Sequence, residues 1–194
     1  MTRAGFIKTL LCIGVMWISG CGSLMSSSSV STPQVLLSPE SYGGTLFTQQ
    51  LLTVDYQQQQ HRVRTLLQVD ANEVKLAGFS TLSVPLFTVT WDGSELKSES
   101  MPGLDKASIQ PRNVMSDMML AVWPTPSLAP LLAAKEWRLD SSENRRQFYD
   151  SANDLVMSIE YDNHHSAHGS ISVSYPEYGV SYQLQTLQWK VVSE

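Results

Sequence analysis

The sequence predicts a mainly β (α+β) domain, an open antiparallel sheet of about nine to eleven strands with a helical insert over its concave face. Apolar and polar residues alternate along most of residues 42–192, which is the pattern of half-buried strands. The alternation is interrupted between residues 110 and 135, where apolar residues recur at helical spacing. A sheet of this many strands curls into a half-barrel, and helices inserted in mid-chain can cover its concave side.

The strands of the first half are separated by polar turns. They are expected at residues 50–56, 63–69, 74–76 and 82–91. The four glutamines at 57–60 are interpreted as a hairpin end, and Asp92-Gly93 is a strong hairpin signal because both residue types tolerate positive φ. Pro85 cannot donate a ladder hydrogen bond, so it indicates an edge strand or a bulge.

The insert begins with a helix that opens at Gln110-Pro111, where a proline in the first turn costs little. Its apolar stripe contains Val114, Met118, Ala121 and Val122, with Met115 and Met119 beside it. The opposite, polar face is expected to consist of Arg112, Asn113, Ser116 and Asp117. Trp123-Pro124 ends this helix, and a second one is predicted from Ser127, as its cap, to Lys135.

Strands resume after the insert and complete the sheet. They are expected at residues 137–139, 145–149, 155–161, 169–175 and 180–192. The alternation changes phase near Thr186-Leu187 in the last of them, which predicts a β-bulge.

The N-terminus has the layout of a secretory signal. Arg3 and Lys8 precede an apolar run from Leu10 to Ile18, which is too short to span a membrane, and the small residues Ser19 and Gly20 follow. Ile18-Ser19-Gly20-Cys21 resembles the lipobox of bacterial lipoproteins, in which the cysteine thiol receives the lipid. The alternative is a buried cysteine in an apolar N-terminal helix. It requires the positive charges, the length of the apolar run and the small residues before the cysteine to coincide by accident.

The lipobox resemblance implies three segments. Residues 1–20 are the signal peptide, 21–35 are the lipidated Cys21 and a Ser-rich tether, and 36–194 are the folded domain. Gly22 and Ser23 follow the cysteine instead of Asp, and in Gram-negative bacteria this implies export to the periplasmic face of the outer membrane. Cys12 is removed with the signal, so the mature domain is expected to lack a disulfide.

The net charge of the chain argues against two classes of partner. The whole chain carries −5, and removal of Arg3 and Lys8 leaves −7. There is no basic block in the sequence, which argues against nucleic acid and against electrostatic binding to anionic lipid. Membrane contact beyond the anchor is therefore expected to be apolar.

The sequence carries little that resembles catalytic chemistry. His164, His165 and His168 lie close enough along the chain to suggest a metal site, but they sit in a polar segment ending in Gly169, which is typical of a hairpin loop. We therefore assign no metal site and no cofactor. Nucleophile-elbow, phosphate-loop and zinc-protease motifs are absent from the sequence, and no enzyme activity is expected.

The order of elements resembles the lipoprotein-sorting proteins LolA and LolB, which are open half-barrels with helices over an apolar cavity for acyl chains. The stretch from Gly78 to Gly93 is similar to the strand-loop-strand before their helical insert. Gln110-Pro111-Arg112 and residues 117–124, DMMLAVWP, resemble an uncharacterised family of LolB-like lipoproteins often encoded with aryl-polyene pigment genes. The resemblance covers roughly Leu46 to Trp189.

The resemblance implies that the methionine-rich insert lines an apolar cavity. Unbranched methionines suit surfaces that accept varied apolar ligands, although core packing explains any single one of them. The cavity residues are expected to be Met115, Met118, Met119, Val122, Trp123 and Leu131. The implied ligand is an acyl- or polyene-bearing lipid, or the acyl chains of a lipoprotein, with a periplasmic carrier or export protein as a possible partner. The alternative is a non-catalytic scaffold lipoprotein with a filled core and no cavity.

Overall fold

The computed structural model describes residues 33–56, 59–102, 104, 110–162 and 168–192. Cys21 and the signal sequence lie outside the described residues, as do His164 and His165. The lipobox and most of the histidine segment are therefore not part of the structural description. His168, at the end of that segment, is described.

The described residues of the domain form ten strands and two α-helices. The strands are β1 Thr45–Tyr56, β2 Gln59–Val69, β3 Val74–Phe79, β4 Pro85–Trp91, β5 Leu96–Ser100, β6 Arg138–Ser142, β7 Arg145–Tyr149, β8 Leu155–Tyr161, β9 Ser170–Tyr175 and β10 Val180–Val192. The helices are α1 Pro111–Val122 and α2 Ala129–Lys135, and short 3₁₀ turns occupy Pro39–Tyr42 and Thr125–Leu128. The predicted fold class is confirmed.

All ten strands form one open antiparallel sheet in the order β5-β4-β3-β2-β1-β10-β9-β8-β7-β6. The first and last strands pair in the middle of this order, so each half of the chain forms one wing of the sheet. The insert joins β5 to β6, which are the two outer edges. A connection between opposite edges has to cross a face of the sheet, and this places α1 where both wings can pack on it.

Charged residues protect the two open edges. β5 carries Lys97 and Glu99, and β6 carries Arg138 and Asp140. Exposed charges on an edge strand oppose pairing with a strand of another molecule.

The concave face of the sheet supplies most of the core. Alternate residues of β1 (Leu46, Thr48, Gln50 and Leu52) are buried, and α1 packs against β4 of the first wing while its side chains bond to strands of the second. The helix is consequently enclosed: ten of its twelve residues are buried.

The predicted phase change in β10 is a bulge. Gln49 pairs with Gln188 but Gln50 pairs with Thr186, so Leu187 is left between the two registers. A second shift lies between Gly78 and Phe79, opposite the start of β4, where Pro85 lacks a donor.

Three local predictions are wrong. Leu82 belongs to the β3–β4 turn and is 85% exposed, because β4 begins only at Pro85. Ser127 does not cap α2; its hydroxyl donates to the carbonyl of Ser41 at 2.6 Å, and a 3₁₀ turn precedes the helix. The predicted polar face of α1 is also not a solvated face, as described next.

Candidate ligand-binding site

The methionines of α1 lie in a closed part of the core. Met115, Met118 and Met119 are 0% exposed. Leu76 and Val89 from the first wing and Ile159 from the second belong to the same apolar cluster. The three methionines therefore contact protein on all sides and reach a ligand only if the helix or a wing moves.

The other side of α1 is polar but buried, which corrects the sequence-based prediction. Asn113, Ser116 and Asp117 are at most 6% exposed, and only Arg112 of the four predicted residues is exposed. The Ser116 hydroxyl accepts a hydrogen bond at 2.7 Å from the backbone N–H of Val35, in the segment preceding β1. Partners from distant parts of the chain replace water around this face.

Asp117 forms a buried cluster with two tyrosines of the second wing. The hydroxyl of Tyr175 on β9 donates to one carboxylate oxygen, and that of Tyr182 on β10 donates to the other at 2.5 Å. Burial raises the pKa of Asp117 to about 7, although the two hydrogen bonds lower it. The same desolvation holds the pKa of Tyr182 well above its ordinary value, so this phenol remains a donor.

Arg146 on β7 closes the C-terminal end of α1. Its Nη1 donates to the carbonyls of Leu120 at 2.7 Å, Ala121 at 3.2 Å and Trp123 at 2.9 Å. A cation suits this position because the last carbonyls of a helix have no intrahelical partner and carry partial negative charge. Desolvation lowers the pKa of Arg146, but guanidinium remains protonated in proteins.

Two aromatic side chains complete this anchorage. The Tyr161 hydroxyl on β8 donates to the Ala121 carbonyl at 2.8 Å. The Trp123 indole N–H donates to the Ser41 hydroxyl at 2.9 Å, in the 3₁₀ turn before β1. The end of α1 is thus fixed to the second wing and to the N-terminal segment by directional polar bonds.

A cleft of about 440 Å³ opens beside this end of α1. It lies between the helix terminus, the N-terminal segment and β10. Its lining residues are Tyr42, Gly43, Ala121, Val122, Trp123, Pro124, Arg146, His168, Trp189 and Val191. The volume falls in the range of about 300–1,000 Å³ that is usual for small-molecule sites.

The structure places the predicted site residues in three different surroundings. Val122 and Trp123 line the cleft, whereas Met115, Met118 and Met119 lie in the filled core. Leu131 is half-buried on α2, packed against the core, and does not line the cleft. Of the residues predicted to bind a ligand, Val122 and Trp123 are therefore the two that line this cleft.

The lining residues that were not predicted include Arg146, Trp189 and Val191. Trp189 and Val191 follow the bulge in β10, and their partners across the pair are Thr48 and Leu46, which face the core. The alternation in β10 changes phase at the bulge, so the sequence pattern alone left the face of these two residues undefined. Arg146 alternates with Phe148 on the inner face of β7, and an arginine at an inward position was the available signal.

Two of the three histidines considered as metal ligands, His164 and His165, lie outside the described residues. No group of three or more potential ligands that could hold a metal ion occurs among the described residues. The His168 ring instead packs on Trp189, with ring centroids 5.0 Å apart. Within the same part of the chain, no helix has the length and apolarity needed to cross a bilayer.

The chain belongs to the family described as "Protein of unknown function (DUF3261)", whose model matches residues 48–188. The match spans the sheet from β1 to β10 together with the helical insert. No match was found among curated proteins.

Two solved structures resemble the fold. One is a DUF1329 family protein from Desulfovibrio piger, with 5% identity and a TM-score of 0.39 over 78% of this chain and 87% of that one. The other, from Vibrio parahaemolyticus, is described as "putative outer membrane lipoprotein-sorting protein domain" and has 9% identity and a TM-score of 0.35 over 76% of this chain and 85% of its own. At these values neither likeness carries an argument about function.

Proposed function

We propose that this protein is a non-enzymatic carrier that binds an acyl- or polyene-bearing lipid, or the acyl chains of a lipoprotein, at the periplasmic face of the outer membrane. In this proposal, Cys21 carries the lipid anchor, the residues after it up to 34 are the tether, and residues 36–194 bind the ligand. Val35, the last residue of the predicted tether, is buried and bonded to α1, so it belongs to the folded domain. The cleft beside α1 is the binding site. The sequence resemblance supports the aryl-polyene association and a periplasmic carrier or export protein as the delivering or receiving partner.

The observation that carries the proposal is the presence of apolar and aromatic side chains in a cleft wall that also exposes polar atoms. Val122 and Trp189 are half-buried there, and Val191 is 49% exposed. Apolar side chains on an inward-facing surface next to open space offer area that an acyl chain can remove from water. Burial of each methylene contributes about 0.8 kcal/mol.

A scaffold without a ligand is the second candidate, and the filled core favours it. The three methionines expected to line a cavity are 0% exposed, so the interior leaves them no contact with a ligand in this conformation. Under the scaffold hypothesis, the cleft is a surface depression without affinity for lipid.

Substitutions of two valines on β10 distinguish the carrier hypothesis from the scaffold hypothesis. Val191 lines the cleft, while its neighbour Val192 points to the opposite face of the strand and is similarly exposed at 48%. The probe is a long-chain fatty alcohol with a photoactivatable diazirine, added to the full chain in phosphatidylcholine vesicles. In a carrier, irradiation labels peptides of the cleft wall. Val191→Trp fills the cleft and lowers that labelling about tenfold, whereas Val192→Trp leaves it unchanged. Equal labelling of both variants, or no labelling of wild-type cleft peptides, contradicts the carrier proposal.

The anchor is tested separately. Cys21→Ser removes the thiol to which lipid would be attached, so we expect loss of metabolic palmitate labelling and of processing at residue 21. Cys12→Ser is the matched control and should leave both unchanged. Palmitate labelling that survives in Cys21→Ser would overturn the assignment of the lipobox.

A further inference from the structure

Arg146 is a buried cation whose described partners are all neutral. It is 6% exposed. Its Nη1 bonds to three backbone carbonyls, and its Nη2 donates to the Thr125 hydroxyl at 3.3 Å. The hydrogen-bond partners given for it in the described part of the chain include no carboxylate. Helix carbonyls offset a cation only through partial charges, so the site retains positive character.

One edge of the buried guanidinium has an incomplete set of hydrogen bonds. A guanidinium has five N–H donors in a fixed plane, and the Nε of Arg146 has no hydrogen-bond partner although it is buried. The Nε–H and one Nη2–H project from the same edge, in the parallel arrangement that binds a carboxylate through both of its oxygens. The Nη2 on this edge is occupied only by the long, neutral bond to Thr125.

The charge of the cleft fits an anion. Arg146 and His168 are the basic side chains of its wall, and the lining contains no Asp or Glu. This composition contrasts with the net charge of −5 for the whole chain. Most of the other lining residues, including Val122, Trp189 and Val191, are apolar or aromatic, so a buried cation and apolar side chains lie in the same wall.

We propose that the cleft binds an anionic amphiphile, with its carboxylate head on the Nε/Nη2 edge of Arg146 and its apolar tail along Val122, Trp189 and Val191. This inference rests on the proposed carrier function and specifies the class of ligand. The head reaches the edge by displacing the Thr125 hydroxyl, which belongs to an exposed residue. The replacement is favourable because a charge-assisted hydrogen bond is about twice as strong as a neutral one.

The test compares two probes that differ only in their heads. A diazirine fatty acid and the corresponding fatty alcohol are crosslinked to the full chain in phosphatidylcholine vesicles, which carry no net charge to compete. We expect the acid to label cleft peptides about tenfold more efficiently than the alcohol, as a bidentate charged contact requires. Excess butyrate, which has the head without the tail, should not displace the acid.

Two substitutions locate the contact. Arg146→Lys keeps the charge but not the planar edge, so the preference for the acid over the alcohol should fall most of the way to unity. Thr125→Val removes the neutral competitor for Nη2 at an exposed position and should raise the preference severalfold. The second variant keeps the test decisive if loss of the helix-capping bonds prevents Arg146→Lys from folding.

The outcomes separate the two proposals. Equal labelling by acid and alcohol at the cleft overturns the anionic ligand but leaves the carrier intact. A preference for the acid that neither variant changes also overturns it, and so does displacement by butyrate, which would indicate a simple anion site. If neither probe labels the cleft, the carrier and the ligand class fail together.

Discussion

Replacing Met118 by Asp is expected to unfold the domain. Met118 is 0% exposed in the middle of α1, so the new carboxylate would be buried among apolar side chains. An uncompensated buried charge costs about 3–5 kcal/mol, and loss of a large core side chain costs roughly 2–5 kcal/mol. Together these approach or exceed the stability of a typical domain, about 5–15 kcal/mol. The measurement is a thermal melt followed by circular dichroism, in which the variant should show no cooperative transition.

Two control variants test whether unfolding is due to a buried charge at position 118. Met118→Leu keeps the apolar character and nearly the volume, and should cost less than about 1.5 kcal/mol. Val122→Asp places the same charge one turn further on, at the half-buried edge of the cleft, where water can reach it; this variant should still melt cooperatively. A folded Met118→Asp protein would instead show that α1 separates readily from the sheet, with its methionines accessible to a ligand as the sequence suggested.

The sheet was largely predictable because alternation is a local property of the chain. The predicted bounds of β7, β8 and β10 agree with the structure, and the bulge near Leu187 was visible as a change of phase. The start of α1 followed from Pro111 in its first turn. Each of these features depends on neighbouring residues only.

The surroundings of α1 were not predictable in this way. Helical spacing separates an apolar from a polar side, but it does not reveal that a sheet will enclose both. Asp117 is buried because Tyr175 and Tyr182 reach it from 58 and 65 residues away. The position of Arg146 likewise depends on the edge-to-edge crossing of the insert, which brings the end of α1 over β7.

The Asp117 cluster should make stability depend on pH. A carboxyl group whose pKa is about 7 in the folded state and about 3.9 in the unfolded state binds more protons when folded between these values. Stability therefore falls as pH rises from about 4 to about 7, and levels off above that. The total loss of stability is about 4 kcal/mol, because the folded and unfolded pKa values differ by roughly three units.

Asp117→Asn isolates this effect because the amide has the same shape but does not titrate. The free energy of unfolding is measured with urea at several pH values between 4 and 8, for wild type and variant. Tyr175 and Tyr182, the groups that donate to Asp117, remain in both proteins. Between pH 4 and pH 8, the free energy of unfolding of the variant should rise by about 4 kcal/mol relative to that of wild type.

Asp92→Asn is the control, because folding lowers the pKa of Asp92 whereas it raises the pKa of Asp117. Backbone hydrogen bonds from Glu95 and Ser94 lower its pKa to about 2, so its contribution is lost only as pH falls below about 4. From pH 5 to pH 8, the free energy of unfolding of Asp92→Asn should therefore change with pH in the same way as that of wild type.

If the free energy of unfolding of Asp117→Asn also follows that of wild type over this range, the buried carboxyl of Asp117 is ionised throughout it. The hydrogen bonds from the two tyrosines would then outweigh its desolvation, because a carboxylate that accepts strong hydrogen bonds keeps a low pKa even when it is buried.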